Sequence, residues 1–154
     1  LAELAGRRPD GKGGWIITDT GINDGTRAAV RDVVQTGLAE GATVNEIQAA
    51  IMASTRISSP MRALRIARTE SNRSTNAGGV TAWEQQAEDA GVDLVLTWSA
   101  APNARDEHKA LNGVERSKDG YWRSGKAKAA HPGGFGVAGL DINCRCHFTP
   151  RIIR

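Results

Sequence analysis

The sequence predicts an α+β fold in which a helical N-terminal half packs on a small, loop-rich C-terminal sheet. Three observations carry this. Up to Ala90, apolar side chains recur at helical spacing between residues that start and stop helices. After Gly91 the pattern switches to Val92-Asp93-Leu94-Val95-Leu96-Thr97-Trp98, which puts Leu94, Leu96 and Trp98 on one face of a strand. From Gly113 to Gly139 the chain is rich in glycine and poor in apolar runs, as elaborated loops are.

Taken in order, residues 1–14 (LAELAGRRPDGKGG) read as a flexible linker, and residues 15–154 as a single domain. A start at Leu1 rather than Met suggests an excised fragment or a processed product. Trp15-Ile16-Ile17-Thr18 suits a short strand or an apolar plug. A first helix follows, with Ala29, Val30, Val33, Val34 and Leu38 along one side and Gly41 as its stop. Thr43-Val44-Asn45-Glu46 matches a capping box, and Val44, Ile47 and Ile51 give the second helix its apolar face. Ser59-Pro60 opens a third helix, because proline at the first helical position gives up only an N–H that has no helical partner. Gly78-Gly79 is expected to break that helix, with a fourth running from Thr81 to Ala90. The run from Cys144 to Ile153 reads as a closing strand whose far end Pro150 confines to an edge.

Bulk properties bound the function. With 40% hydrophobic and 24% charged residues, the chain is an ordinary globular one, long enough to bury a core without staples. Trp15, Trp83, Trp98 and Trp122 should anchor that core. A net charge of +3 tolerates a nucleic-acid neighbour without demanding one. Neither a signal peptide nor a membrane-length apolar run is visible, so no membrane partner is expected. Cys144 and Cys146 are separated by one residue, so a disulfide between them would close a strained ring, and a reducing compartment is expected.

Three blocks carry a resemblance. They are Ile66-Ala67-Arg68-Thr69-Glu70, then WSAAPNARDEHKALNG from Trp98 to Gly113, then HPGGFGVAGLDINCRC, which closes on Asn143-Cys144-Arg145-Cys146. In this order and spacing they resemble the phage Mu F-like minor head (head morphogenesis) proteins. The resemblance implies a minor capsid component near the portal vertex, with the portal protein, the capsid interior and packaged DNA as partners. It implies a place in the virion head, and in the bacterial host cytoplasm during assembly. It also marks Arg68, Glu70, Trp98, Arg105, His108, Gly113, Asn143, Cys144, Arg145 and Cys146 as the motif positions. Some members of the family carry C-x-x-C before the turn and H-x-x-C-R-C at the end. On that matching His108, Asp141, Cys144 and Cys146 would be the diluted ligand set of a zinc site, the first early cysteine having become Arg105.

The residues themselves give a plainer reading. Arg68 and Glu70 stand two apart on a helix, so they do not face one another, and each is expected to contact a different neighbour. Arg62, Arg65 and Arg73 form either a stripe that tracks phosphates or a solvated face, and no aromatic is interleaved for stacking on bases. Arg105-Asp106-Glu107-His108 is the most reactive-looking loop, yet no nucleophile stands at a diagnostic spacing, and His108 is expected to bond loop backbone. Leu111-Asn112-Gly113 reads as a tight turn with positive φ available to Asn and Gly. In a strand, Cys144 and Cys146 would share a buried face, leaving Asn143 and Arg145 to bridge to the His108 loop. The expectation is therefore a structural protein without a catalytic residue or cofactor, with zinc left open. The alternatives are a phage-delivered nuclease or transferase, and a DNA-binding module.

Overall fold

The computed structural model describes residues 24–153, together with the backbone of two short strands, Arg7–Pro9 (β1) and Trp15–Ile17 (β2). Its secondary structure is α+β, and chain contacts divide it into two compact units, Leu1–Ala67 and Arg68–Arg154. No helix among the described residues is long and apolar enough to cross a membrane.

In the first unit, β1 and β2 pair antiparallel, with Arg8 opposite Ile16. The stretch read as linker thus contains a paired strand; its other residues lie outside the described ones. Helix α1 (Asp24–Ala39) turns at Gly41, whose φ of 72° suits glycine, into α2 (Val44–Ser54). The capping box forms as the sequence requires: Thr43 N–H donates to Glu46 Oε2 at 2.7 Å, and Glu46 N–H donates to Thr43 Oγ1 at 3.3 Å. Gly37 sits where α1 meets α2, and a Cβ there would lie 2.7 Å from Ile47 Cγ1. Val30, Val34, Ile47, Ile51, Ile57, Ala63, Ile66 and Ala67 form the core of this unit. Each fully buried aliphatic side chain contributes roughly 1.5–3 kcal/mol relative to exposure.

Helix α3 (Pro60–Ala90) starts as expected, with Ser59 Oγ accepting from Arg62 N–H at 3.3 Å and Pro60 in the first position. The expected break is absent: one helix of 31 residues runs through Gly78 and Gly79. Gly79 serves a close approach instead, since a Cβ there would stand 3.1 Å from the Phe148 ring. The separate fourth helix is therefore the end of α3.

In the second unit, β3 (Asp93–Ser99) pairs antiparallel with β6 (His147–Ile153), placing Trp98 opposite Phe148 and Leu96 opposite Pro150. On the other edge of β3, Trp98 N–H donates to Val114 O and Gly113 N–H to Trp98 O. A hairpin of β4 (Trp122–Ser124) and β5 (Ala127–Ala129) completes the strands. Two single-turn helices, α4 (Asp106–Lys109) and α5 (Ala138–Asp141), interrupt the loops. The core joins Val80, Leu96, Trp98, Leu111, Trp122, Ala129, Phe135, Cys144 and Cys146. Trp98 and Trp122 meet edge to face at 5.5 Å, a favoured aromatic geometry. Among the described residues, Trp98 and Trp122 anchor a core as expected. Trp83 is half-exposed because its turn of α3 lies outside both clusters, and the Trp15 side chain lies outside the described residues.

Candidate functional site

The second and third sequence blocks fold onto one another around His108. Arg105, with extended backbone, caps α4 and puts His108 one turn along on the inner side, where it is 1% exposed. Asn112 fixes the far end of the loop differently from expectation. Its side-chain oxygen accepts from Ala100 N–H at 2.9 Å, and only Gly113 takes positive φ. The Arg105 guanidinium then reaches across to the third block, donating to Gly139 O and, at 2.7 Å, to Ile142 O.

Asp141 builds the facing wall. Its carboxylate accepts from Phe135 N–H at 2.9 Å, Gly136 N–H at 2.6 Å and Val137 N–H at 3.2 Å. A buried carboxylate with three amide donors is well compensated, and both oxygens are engaged in closing this loop. Asn143, at φ 60°, reverses the chain and donates its N–H to Thr69 Oγ1 at 3.0 Å. Asn76 of α3 donates to Cys146 O at 3.0 Å.

These bonds hold Cys144-Arg145-Cys146 as irregular backbone just ahead of β6, not as part of the strand. The cysteines nevertheless both point inward, at 3% and 1% exposure, while Arg145 is exposed. The bridge expected of Asn143 and Arg145 is made instead by the Arg105 side chain, while the Asn143 N–H ties the cysteine loop to Thr69 of α3.

His108 does not bond loop backbone. Its Nδ1 lies 3.6 Å from Cys144 Sγ and 3.4 Å from Cys146 Sγ. The ring stacks on Phe135 with centroids 5.8 Å apart and meets Trp98 edge-on at 5.3 Å. Its Nε2 is buried among these rings without a hydrogen-bond partner. Electrostatically the two thiols behave as one unit. The Cys144 S–H, aided by His108 and the Ala101 N–H, draws the Cys146 thiol well below its ordinary value against the cost of burial. Cys144, donating that bond and itself buried, moves upward. A cavity of about 270 Å³ opens onto the three groups, its rim formed by Asn103, Arg105, Asn143 and Arg145.

Other candidate residues lie apart from this centre. Arg68 is exposed and Glu70 half-buried, and neither lines the cavity over His108. Along α3, Arg65 is exposed while Arg62 and Arg73 are half-buried. Trp98, at 1% exposure, is the wall behind His108. Asp141 is not among the residues whose donor atoms converge there; those are His108, Cys144 and Cys146. Sequence reasoning missed Thr69 and Asn76, which tie α3 to the Cys loop. The available signal was that both stand on the stripe that continues Ile66 and precedes Val80, so they are polar residues at core positions of a helix.

Comparison with known proteins agrees with the three blocks. The family described as Phage Mu protein F like protein matches residues 28–149. An NAD(+)–arginine ADP-ribosyltransferase from Enterococcus faecalis is 35% identical over 119 residues, which cover 76% of this chain and 24% of that protein. The chain thus spans about a quarter of that relative's length. No solved structure matches. The family match extends through both compact units and every block around His108, and the chain belongs to the Phage Mu protein F like family of phage head proteins.

Proposed function

We propose that this chain is the core of a minor head protein that works at the portal vertex or inner capsid wall during head assembly and DNA packaging, by binding and without a chemical step. The family match over residues 28–149 carries this reading. The fold supports it through a strand edge. Among the described residues β6 pairs with β3 on one side alone, and it ends at Ile152 and Ile153, which are 50% and 39% exposed. Such an edge suits strand addition by a capsid or portal partner. Packaged DNA is a further neighbour in this reading, through the arginines of α3, and that contact should weaken steeply as salt rises.

The Enterococcus faecalis relative favours a second reading, transfer of ADP-ribose from NAD(+) to arginine. Against it, this chain corresponds to only a quarter of that protein, and the cavity over His108 does not include Arg68 or Glu70, the other groups a catalytic arrangement would draw on. We therefore favour the head role for this segment.

The test is to quantify, by mass spectrometry of purified heads with and without genome, the protein that carries this chain. A few copies per particle in both states is the expected result. Loss together with the DNA would move the protein from the vertex onto the genome as a co-ejected component. Absence from heads would overturn the reading and bring the transferase forward, to be assayed with NAD(+) and an arginine acceptor.

A further inference from the structure

We propose that His108, Cys144 and Cys146 bind one zinc ion with three protein ligands, leaving a fourth coordination position open to the adjoining cavity.

The geometry carries this. Both sulfurs approach the same nitrogen, His108 Nδ1, at 3.6 and 3.4 Å. A ring nitrogen has either one N–H or one lone pair in the ring plane, so one hydrogen bond satisfies it and the second sulfur is surplus. A metal at the common point meets all three donors at once, and all three donor atoms lie within 4.8 Å of one another. Tetrahedral zinc, with bonds of about 2.3 Å to sulfur and about 2.0–2.1 Å to nitrogen, separates a sulfur from a nitrogen by about 3.5 Å. The two observed separations fall on either side of that value. Two thiolates and an imidazole form a soft, borderline set that selects zinc over magnesium or calcium.

The site is also held in place before any ion arrives. His108 is wedged between Phe135 and Trp98, which fixes its ring plane. The cysteine loop is pinned at Cys146 O by Asn76, at Asn143 N–H by Thr69, and at Cys144 N–H by Asp141 O. To ligate, His108 carries its proton on Nε2 and offers the Nδ1 lone pair to the ion. Zinc takes both cysteines as thiolates, which leaves a site of zero net charge, Zn²⁺ with two thiolates. Asp141 stays outside, its oxygens committed to three amides. The fourth position faces the cavity of about 270 Å³, room for water or a small exogenous ligand.

The experiment is cobalt titration of the metal-free, reduced wild-type chain, with metal analysis of the protein as purified. One equivalent of zinc is expected as isolated. Cobalt should give saturable thiolate-to-metal charge-transfer absorption at one equivalent, together with the intense visible bands of a tetrahedral ion. Added azide or imidazole should shift those visible bands, since one position is open; bands that do not move would overturn the open position. Cys144→Ser and Cys146→Ser should each lose most of the charge-transfer absorption. Native thiol titration of the wild type provides a readout that does not depend on variants folding. Zinc should protect both cysteines from a thiol reagent, and a chelator should restore their reaction. No cobalt spectrum, together with thiols that react equally fast with and without zinc, overturns the site in favour of a bare Cys–His pair.

Discussion

Two arginines, Arg105 and Arg145, show what decides a residue's weight. Both lie in motif blocks and both line the cavity rim. Arg105 spends its planar fork on two carbonyls, Gly139 O within α5 and Ile142 O at its end. Arg145 is exposed, with its side chain at the cavity mouth. Removing Arg105 leaves a part-buried carbonyl without its donor, so Arg105→Ala should cost about 1–3 kcal/mol in urea unfolding. Arg105→Lys should recover only part of that, because an ammonium cannot bridge both oxygens as a fork does. Arg145→Ala should stay within about 0.5 kcal/mol of the parent, as surface substitutions do. Equal losses at the two positions would mean that the bridge between the blocks runs through Arg145 after all.

At the level of elements, glycine and capping residues make opposing predictions that one set of melts can check. Gly78 is exposed inside α3 and a Cβ there would meet nothing within 4 Å, so Gly78→Ala should stabilise by about 0.5–1 kcal/mol through helix propensity alone. Gly37 has the same propensity to gain, but its Cβ would strike buried Ile47 at 2.7 Å. Overpacking of a filled core costs about 1–3 kcal/mol, so the clash wins and Gly37→Ala should destabilise. The capping box adds a pH signature. Glu46 is held below its ordinary value by the Thr43 N–H first and the Thr43 hydroxyl second. A carboxyl lowered in the folded state contributes its stabilisation fully above its ordinary pKa and loses it as pH falls through the lowered one. Thr43→Ala should therefore cost about 1 kcal/mol near neutrality, and the difference from the parent should narrow as the solution is acidified below the ordinary carboxylate range. A gap that stays constant into acid would mean that the Thr43 hydroxyl does not help to hold the Glu46 carboxylate, whose bond to the Thr43 N–H the substitution leaves in place.

Over the whole molecule, what the sequence made legible was whatever is local. The capping box, the Ser59-Pro60 start and the strand at Leu94, Leu96 and Trp98 each rest on spacing within one element, and each stands in the structure. Where the reading failed, a partner distant in sequence decided the outcome. Gly78-Gly79 looked like a break because the Phe148 ring that accounts for Gly79 lies some seventy positions further on. Cys144 and Cys146 were read as strand neighbours because nothing near them in sequence announces Thr69 and Asn76, which hold that loop out of the strand. The same distinction bears on stability. The buried cores centred on Ile51 and on Leu96 share no residue, although α3 contributes to both. Ile51 is 0% exposed and Leu96 2%, so truncating either to alanine should cost about 2–5 kcal/mol. Coupling between substitutions needs shared partners or a shared cavity, and these two have neither among the buried cluster members. The double variant Ile51→Ala/Leu96→Ala should then lose the sum of the single losses to within about 0.5 kcal/mol, measured by urea unfolding against both single variants. A double loss clearly smaller or larger than that sum would show that the long helix transmits packing strain from one core to the other.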